Sequence, residues 1–299
     1  MTDSIPTRET FASRPPRRRR RRRRLPPMSV MPILCTLGNL VAGFTAIHYA
    51  AKPPSPQFTG PWGWSGLQFA ATLIFVGMLL DAVDGWVARL TRSASTLGGH
   101  LDSLADAVTF GVAPAFLTLR VVGQDPAAVI IGPEADDVLG KVVWAVAVVY
   151  LCCAALRLAR FNVEAGPGGV ERSITFRGLP SPGAAGAVAS MILLHQDLEP
   201  TTFVRAAALG IPLITIACAF AMVSSIPYLH ITNRYIYGAR SFGYVARLVV
   251  LLALVIWFWP ETLALLFPAY AVSGPIRLAV ARRRRVAART ADSGDEQRH

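Results

Sequence analysis

The sequence predicts an all-α, polytopic membrane helix bundle of about eight transmembrane helices, with both termini in the cytoplasm. Three observations predict it. Of the 299 residues, 53% are hydrophobic and only 16% charged, against roughly 25% charged in an ordinary soluble domain. The apolar residues gather into blocks of about 17–25, long enough to cross a hydrocarbon core of roughly 30 Å as helices. The charged residues fall between those blocks, basic ones in alternate connections.

Residues 1–28 are rich in Arg, Pro, Ser and Thr, without apolar periodicity, and read as a disordered tail. Its unbroken run Arg17–Arg24 followed by an apolar stretch resembles a secretory signal. The stretch from Met31 to Ala51 is longer than a signal core, however, and further spans follow, so it reads as a retained first helix. The predicted spans are 31–51, 67–91, 98–122, 140–162, 181–197, 203–226, 243–260 and 261–279. Only Trp259-Pro260-Glu261 separates the last pair. Pro26, Pro27, Pro53, Pro54, Pro56, Pro61 and Pro133 fall in linkers, where they remove no helical hydrogen bond. The domain reading is a tail over 1–28, a membrane domain over 29–280, and a basic then polar tail over 281–299.

Loop charge orients the array. Connections after spans two, four and six carry Arg92, then Arg172 and Arg177, then Arg234 and Arg240. Those after spans three and five carry Asp125, Glu134, Asp136 and Asp137, then Asp197 and Glu199. Basic loops lie on the cytoplasmic side, and eight spans also put Arg282–Arg285 there. The net charge of +12 is thus a topology and lipid-headgroup signal rather than a nucleic-acid footprint. Cys35, Cys152, Cys153 and Cys218 all lie in apolar blocks without metal-ligand spacing, and read as packing residues. Trp62, Trp64, Trp257 and Trp259 at span ends read as interfacial anchors.

The chemistry concentrates between Asp81 and Asp106. Asp81 and Asp84 are three apart and share one helix face; Asp102 and Asp106 are four apart and share another. The short 92–97 connection makes the two helices antiparallel neighbours, with Gly85, Ala88 and Gly98 allowing close approach. Each unpaired carboxylate would cost about 2.5–3.5 kcal/mol near a bilayer centre, which marks such residues as functional. Converging carboxylates repel unless cations neutralise them, and hard oxygen ligands suit Mg²⁺ or Mn²⁺, as a pair. That arrangement suits phosphoryl-type transfer. A cation-coupled transporter, with the aspartates paired to Arg89, Arg92 or His100, uses the same residue types and stays open at this point. His100 itself reads as a local hydrogen-bond partner.

Asp81-x-x-Asp84-Gly85-x-x-Ala88-Arg89, eight residues, Gly98-x-x-x-Asp102-x-x-x-Asp106 resembles the full signature of the CDP-alcohol phosphatidyltransferases. Pro32, Thr36, Asn39 and Gly43 resemble the first helix of that family's phosphatidylserine synthase branch, with Ile33 where Asn is usual. Arg157-Leu-Ala-Arg160-Phe161-Asn162 and Phe176-Arg-Gly178-Leu179-Pro180-Ser-Pro182 resemble segments of the same branch. The resemblance covers roughly residues 30–250.

The resemblance implies a multi-pass enzyme of the cell inner membrane, its site facing the cytoplasm. It would move the phosphatidyl group of CDP-diacylglycerol to the hydroxyl of L-serine, releasing CMP. Asp81, Asp84, Asp102 and Asp106 would hold the divalent metals, with Asp106 also the general base. Gly85, Ala88, Arg89, Ser95 and Thr36 would contact the CDP-lipid, Gly85 by admitting close backbone approach. A homodimer is the implied assembly. For the acceptor, Arg157 and Arg160 can supply a cation and Asn162 a polar partner; snorkelling anchorage is the other reading of both arginines. Glycerol 3-phosphate and inositol phosphate would also suit two arginines, whereas choline would not.

Overall fold

In the computed structural model the described residues are 30–53, 63–91, 96–123, 131–164, 176–198, 207–228 and 256–296, with isolated positions 201, 250, 253 and 254. Helix α1 (Val30–Ala51) and α2 (Gly66–Thr91) form an antiparallel hairpin. Its closeness follows from glycine: a Cβ on Gly66 would meet the Tyr49 carbonyl at 2.7 Å, and one on Gly38 would meet Leu80 at 3.1 Å. Next come α3 (Thr96–Asp106), a π-helical segment (Ala107–Val112), α4 (Ala113–Val122) and α5 (Val138–Glu164). The chain continues through β1 (Phe176–Arg177), α6 (Ser181–Asp197), α7 (Gly210–Val223), β2 (Pro227–Tyr228) and α8 (Trp259–Glu296).

Seven of the eight expected spans have a helix among these residues. Five are long and apolar enough to cross a membrane: 31–51, 66–88, 97–122, 138–163 and 259–280. The 17-residue α6 and 14-residue α7 are shorter. The expected seventh span, 243–260, lies mostly outside the described residues, as do Arg172, Arg234, Arg240, Trp62 and the 1–28 tail. The last helix differs from its expected bounds. It starts at Trp259 and runs through the Arg282–Arg285 run to Glu296, since Pro260 sits at a helix start, where its missing N–H costs nothing.

The third span is not one regular helix. Pro114 has no N–H to offer the Phe110 carbonyl four residues earlier, and its ring crowds that carbonyl. The chain widens instead into the π-helix, where the Ala113 N–H reaches Val108. The Phe110 carbonyl accepts from the buried Tyr150 hydroxyl at 3.1 Å. A parallel case occurs in α8. Pro275 leaves the Ala271 carbonyl without its helical donor, and Tyr228 Oη supplies one at 3.0 Å.

The core lies between α6 and its neighbours. Small residues Gly183, Ala184, Ala185, Gly186, Ala187 and Ala189 line α6, all buried. They let α2, α7 and α8 approach closely, the packing mode expected where lipid removes the hydrophobic drive between helices. The β1–β2 pair is a two-residue antiparallel contact, Phe176 opposite Tyr228. It clasps the turn before α6, where Gly178 takes φ +90°. Side chains such as Leu34, Phe44, Leu79, Val142, Leu213 and Leu265 point outward, as a lipid-facing surface requires.

Candidate active site

The aspartates sit in the C-terminal half of α2 and in the last two turns of α3. Helical spacing sets Asp81 and Asp84 on one face of α2, and Asp102 and Asp106 on one face of α3. Helix α1 packs against both α2 and α3, which hardly touch each other among the described residues. The close approach expected of them at Gly85, Ala88 and Gly98 is therefore not seen, and the two acidic faces meet across the space between them. One carboxylate oxygen from each of Asp81, Asp102 and Asp106 lies within 4.8 Å of the others, all three residues half-buried. Asp84 stands slightly apart and is almost fully buried, 5% exposed. The Thr36 hydroxyl on α1 reaches Asp84 Oδ2 at 2.8 Å and also lies 2.9 Å from the Pro32 carbonyl. Its single proton serves one of them at a time.

Burial of three like charges at this distance is costly, and the protein answers only part of it. Asn39 Nδ2 donates to Asp106 Oδ1 at 3.2 Å. Asp102 Oδ1 is buried with no hydrogen-bond partner among the described residues. An orphaned buried acceptor costs about 1–3 kcal/mol, more when charged. Three carboxylates with one such oxygen fit a hard divalent cation, whose ligands are oxygens in this kind of array. Neither Cys nor His belongs to the cluster, and the His100 side chain is exposed.

Around the cluster the close approach is again steric. A Cβ on Gly77 would fall 2.6 Å from Thr109 Cγ2 and 2.8 Å from Asn39 Oδ1, and one on Gly43 would run into Thr109. The Thr109 hydroxyl donates to the Asn39 carbonyl at 2.9 Å. The π-helix following Asp106 is thereby stapled to α1.

Gly85 and Ala88 lie on the last turns of α2, both half-buried. The side chains of Arg89 and Arg177, and the whole of Arg92 and Ser95, lie outside the described residues. The expected acceptor residues separate. Arg157 turns inward from α5: its Nη1 donates to Ser181 Oγ at 2.7 Å, and its Nε is buried without a partner among the described residues. Arg157 lies within electrostatic reach of Asp106, Tyr150 and Tyr270. Arg160 is half-buried, and Asn162 is exposed. Asn162 Oδ1 accepts from Ser103, the neighbour of Asp102, at 3.0 Å.

Two residues that sequence patterning did not place at the site belong to its surroundings. Asn39 touches Asp106; the sequence marked it only as part of the first-helix resemblance, with no role attached. Ser181 holds Arg157, and it stands inside the Gly178–Pro182 segment already singled out.

Comparison with known proteins extends this geometry. Residues 29–224 match the model of the CDP-alcohol phosphatidyltransferase family. The chain is 34% identical over 170 residues to a CDP-diacylglycerol–serine O-phosphatidyltransferase of Helicobacter pylori, covering 57% of this chain and 60% of that one. It is 31% identical over 203 residues to the Bacillus subtilis protein of the same name, covering 68% of this chain and 92% of that one. It is 34% identical over 165 residues to an archaetidylserine synthase of Methanothermobacter thermautotrophicus, 54% of this chain and 58% of that one. The chain thus spans about 60% of the Helicobacter relative's length.

Proposed function

The chain belongs to the CDP-alcohol phosphatidyltransferase family, and we propose that it transfers the phosphatidyl group of CDP-diacylglycerol to the hydroxyl of L-serine, giving phosphatidylserine and CMP. The observation that carries the reading is the Asp81, Asp102 and Asp106 cluster formed between α2 and α3. Relatives matched over most of this region bear serine transferase names.

Asp81, Asp102 and Asp106, with Asp84 behind them, would hold divalent cations, Mg²⁺ or Mn²⁺, as a pair. A bound cation supplies positive charge against the pyrophosphate and the departing CMP. Gly85 and Ala88 offer the CDP moiety a close backbone approach, Thr36 offers a hydroxyl turned toward Asp84, and Arg89 and Ser95 would contact the CDP-lipid as well. Asp106 takes the serine hydroxyl proton as the oxygen attacks the lipid-side phosphorus in line. A P–O bond to serine forms as the P–O bond to CMP breaks. Arg157 offers its guanidinium to the serine carboxylate, with Arg160 and Asn162 at the outer rim.

The lipid tails stay among the outward apolar side chains, and the polar substrates arrive at the end where the aspartates cluster. In this reading that end faces the cytoplasm of a bacterial inner membrane. Residues 29–280 are the catalytic membrane domain of a homodimer with eight spans per chain.

The test is CMP release from purified full-length protein in lipid nanodiscs, with Mg²⁺ or Mn²⁺ and one acceptor at a time. The acceptors are serine, glycerol 3-phosphate, inositol phosphate and choline. Release with serine alone, abolished by EDTA and by Asp106→Asn, is the expected result. Turnover with a different acceptor would overturn the choice of serine, and no turnover with any acceptor would overturn catalysis in favour of cation-coupled transport.

A further inference from the structure

We infer that Asn39 is a positioning residue for Asp106: its amide holds one carboxylate oxygen and thereby turns the other toward the reacting groups. The inference rests on Asp106 acting as proposed above, and deepens that reading.

Asn39 lies near the middle of α1, three residues beyond Thr36 and fully buried. Its Nδ2 donates to Asp106 Oδ1 at 3.2 Å. A carboxylate accepts and does not donate, so the amide nitrogen must be the atom that faces it. Asn39 Oδ1 is then left over, buried with no partner among the described residues. It faces Gly77, where the missing Cβ makes room for it. A leucine here would fill the same space, bury no orphan oxygen and suit an apolar span better. Keeping an amide at such a cost makes sense for what its N–H₂ does to Asp106.

A second contact points the same way. The Thr109 hydroxyl, three residues after Asp106, donates to the Asn39 carbonyl at 2.9 Å. Asn39 therefore grips the Asp106 segment twice, by side chain at the carboxylate and by backbone at the π-helix. With Oδ1 engaged from α1, Oδ2 is the oxygen left for a cation or a proton. Asn39 itself touches neither substrate in this reading; it acts through Asp106.

A double-mutant cycle separates this role from packing. Mn²⁺ affinity is measured by electron paramagnetic resonance on full-length protein in nanodiscs for wild type, Asn39→Leu, Asp106→Ala and the double variant. Asn39→Leu is expected to weaken Mn²⁺ binding about fivefold or more alone, and less than about twofold on the Asp106→Ala background. In the same preparations its kcat falls about tenfold or more, with both KM values within about twofold. Equal weakening in both backgrounds, or no weakening in the first, overturns the assignment. If Asn39→Leu does not fold, Asn39→Ala carries the same cycle. Wild type that binds Mn²⁺ but releases no CMP would sink the proposed reaction and leave the cycle readable.

Discussion

Tyr150 donates its phenolic proton to the Phe110 carbonyl, which Pro114, four residues later, has no N–H to serve. The bond joins α5 to the π-helix directly behind Asp106. Tyr150 is completely buried, so no water stands ready to replace it. Tyr150→Phe keeps the ring and removes only the donor, so the buried carbonyl loses this bond. The expected loss is about 1–3 kcal/mol of stability, read as a lower midpoint in detergent-mediated unfolding. Because the π-helix sets the direction of Asp106, kcat should fall by about 10- to 100-fold, the scale for small misplacement of a reacting group. A variant with wild-type midpoint and wild-type kcat would refute the account of the π-helix.

Gly77 makes a sharper steric prediction. A Cβ there meets Thr109 and Asn39 Oδ1 inside 3.0 Å, whereas one at Gly99 meets nothing within 4 Å. Gly77→Ala should destabilise by about 1–3 kcal/mol through overpacking. Gly99→Ala, in a helix, should be neutral or stabilising by about 1 kcal/mol. The two variants compared in one unfolding assay decide the matter, and a shift of the same sign and size in both would show that the gap beside Asn39 is not under constraint.

These relationships mark the limit of what the sequence allowed one to read. Hydropathy located α1 to α8 because a span is a local property of about 20 consecutive residues. The i, i+3 and i, i+4 spacings placed Asp81, Asp84, Asp102 and Asp106 on shared faces for the same reason. The separation of Asp84 from the other three was not legible, since it depends on Thr36, 48 residues away in the chain. Asn39 and Asp106 are 67 residues apart, and nothing in either neighbourhood announces the bond. Pro114 was visible inside the third span, yet its consequence required knowing that Tyr150 would arrive with a donor. The last apolar span, expected at 261–279, lies at 259–280, but that its helix continues to Glu296 was not legible, because hydropathy marks where a span ends and not where a helix does.

Arg157 is the residue on which acceptor choice turns. Its Nη1 is held by Ser181 at 2.7 Å while its Nε is buried without a described partner. The guanidinium is thus fixed at one edge with donor capacity unspent at another, within electrostatic reach of Asp106. Arg157→Lys keeps the charge but loses the planar fork that can hold Ser181 and a carboxylate together. A hydrogen bond to a charged group contributes about 1.5–3 kcal/mol, so the serine KM should rise roughly 10- to 100-fold while the CDP-diacylglycerol KM stays within about twofold. Ser181→Ala should raise the serine KM by a smaller factor, since the guanidinium remains but is no longer tethered. Steady-state kinetics in nanodiscs, varying each substrate separately, reads both. If Arg157 were only a membrane anchor, neither KM would move with Lys in its place, because lysine snorkels as well as arginine does. A rise confined to CDP-diacylglycerol would instead move Arg157 to the nucleotide side of the site.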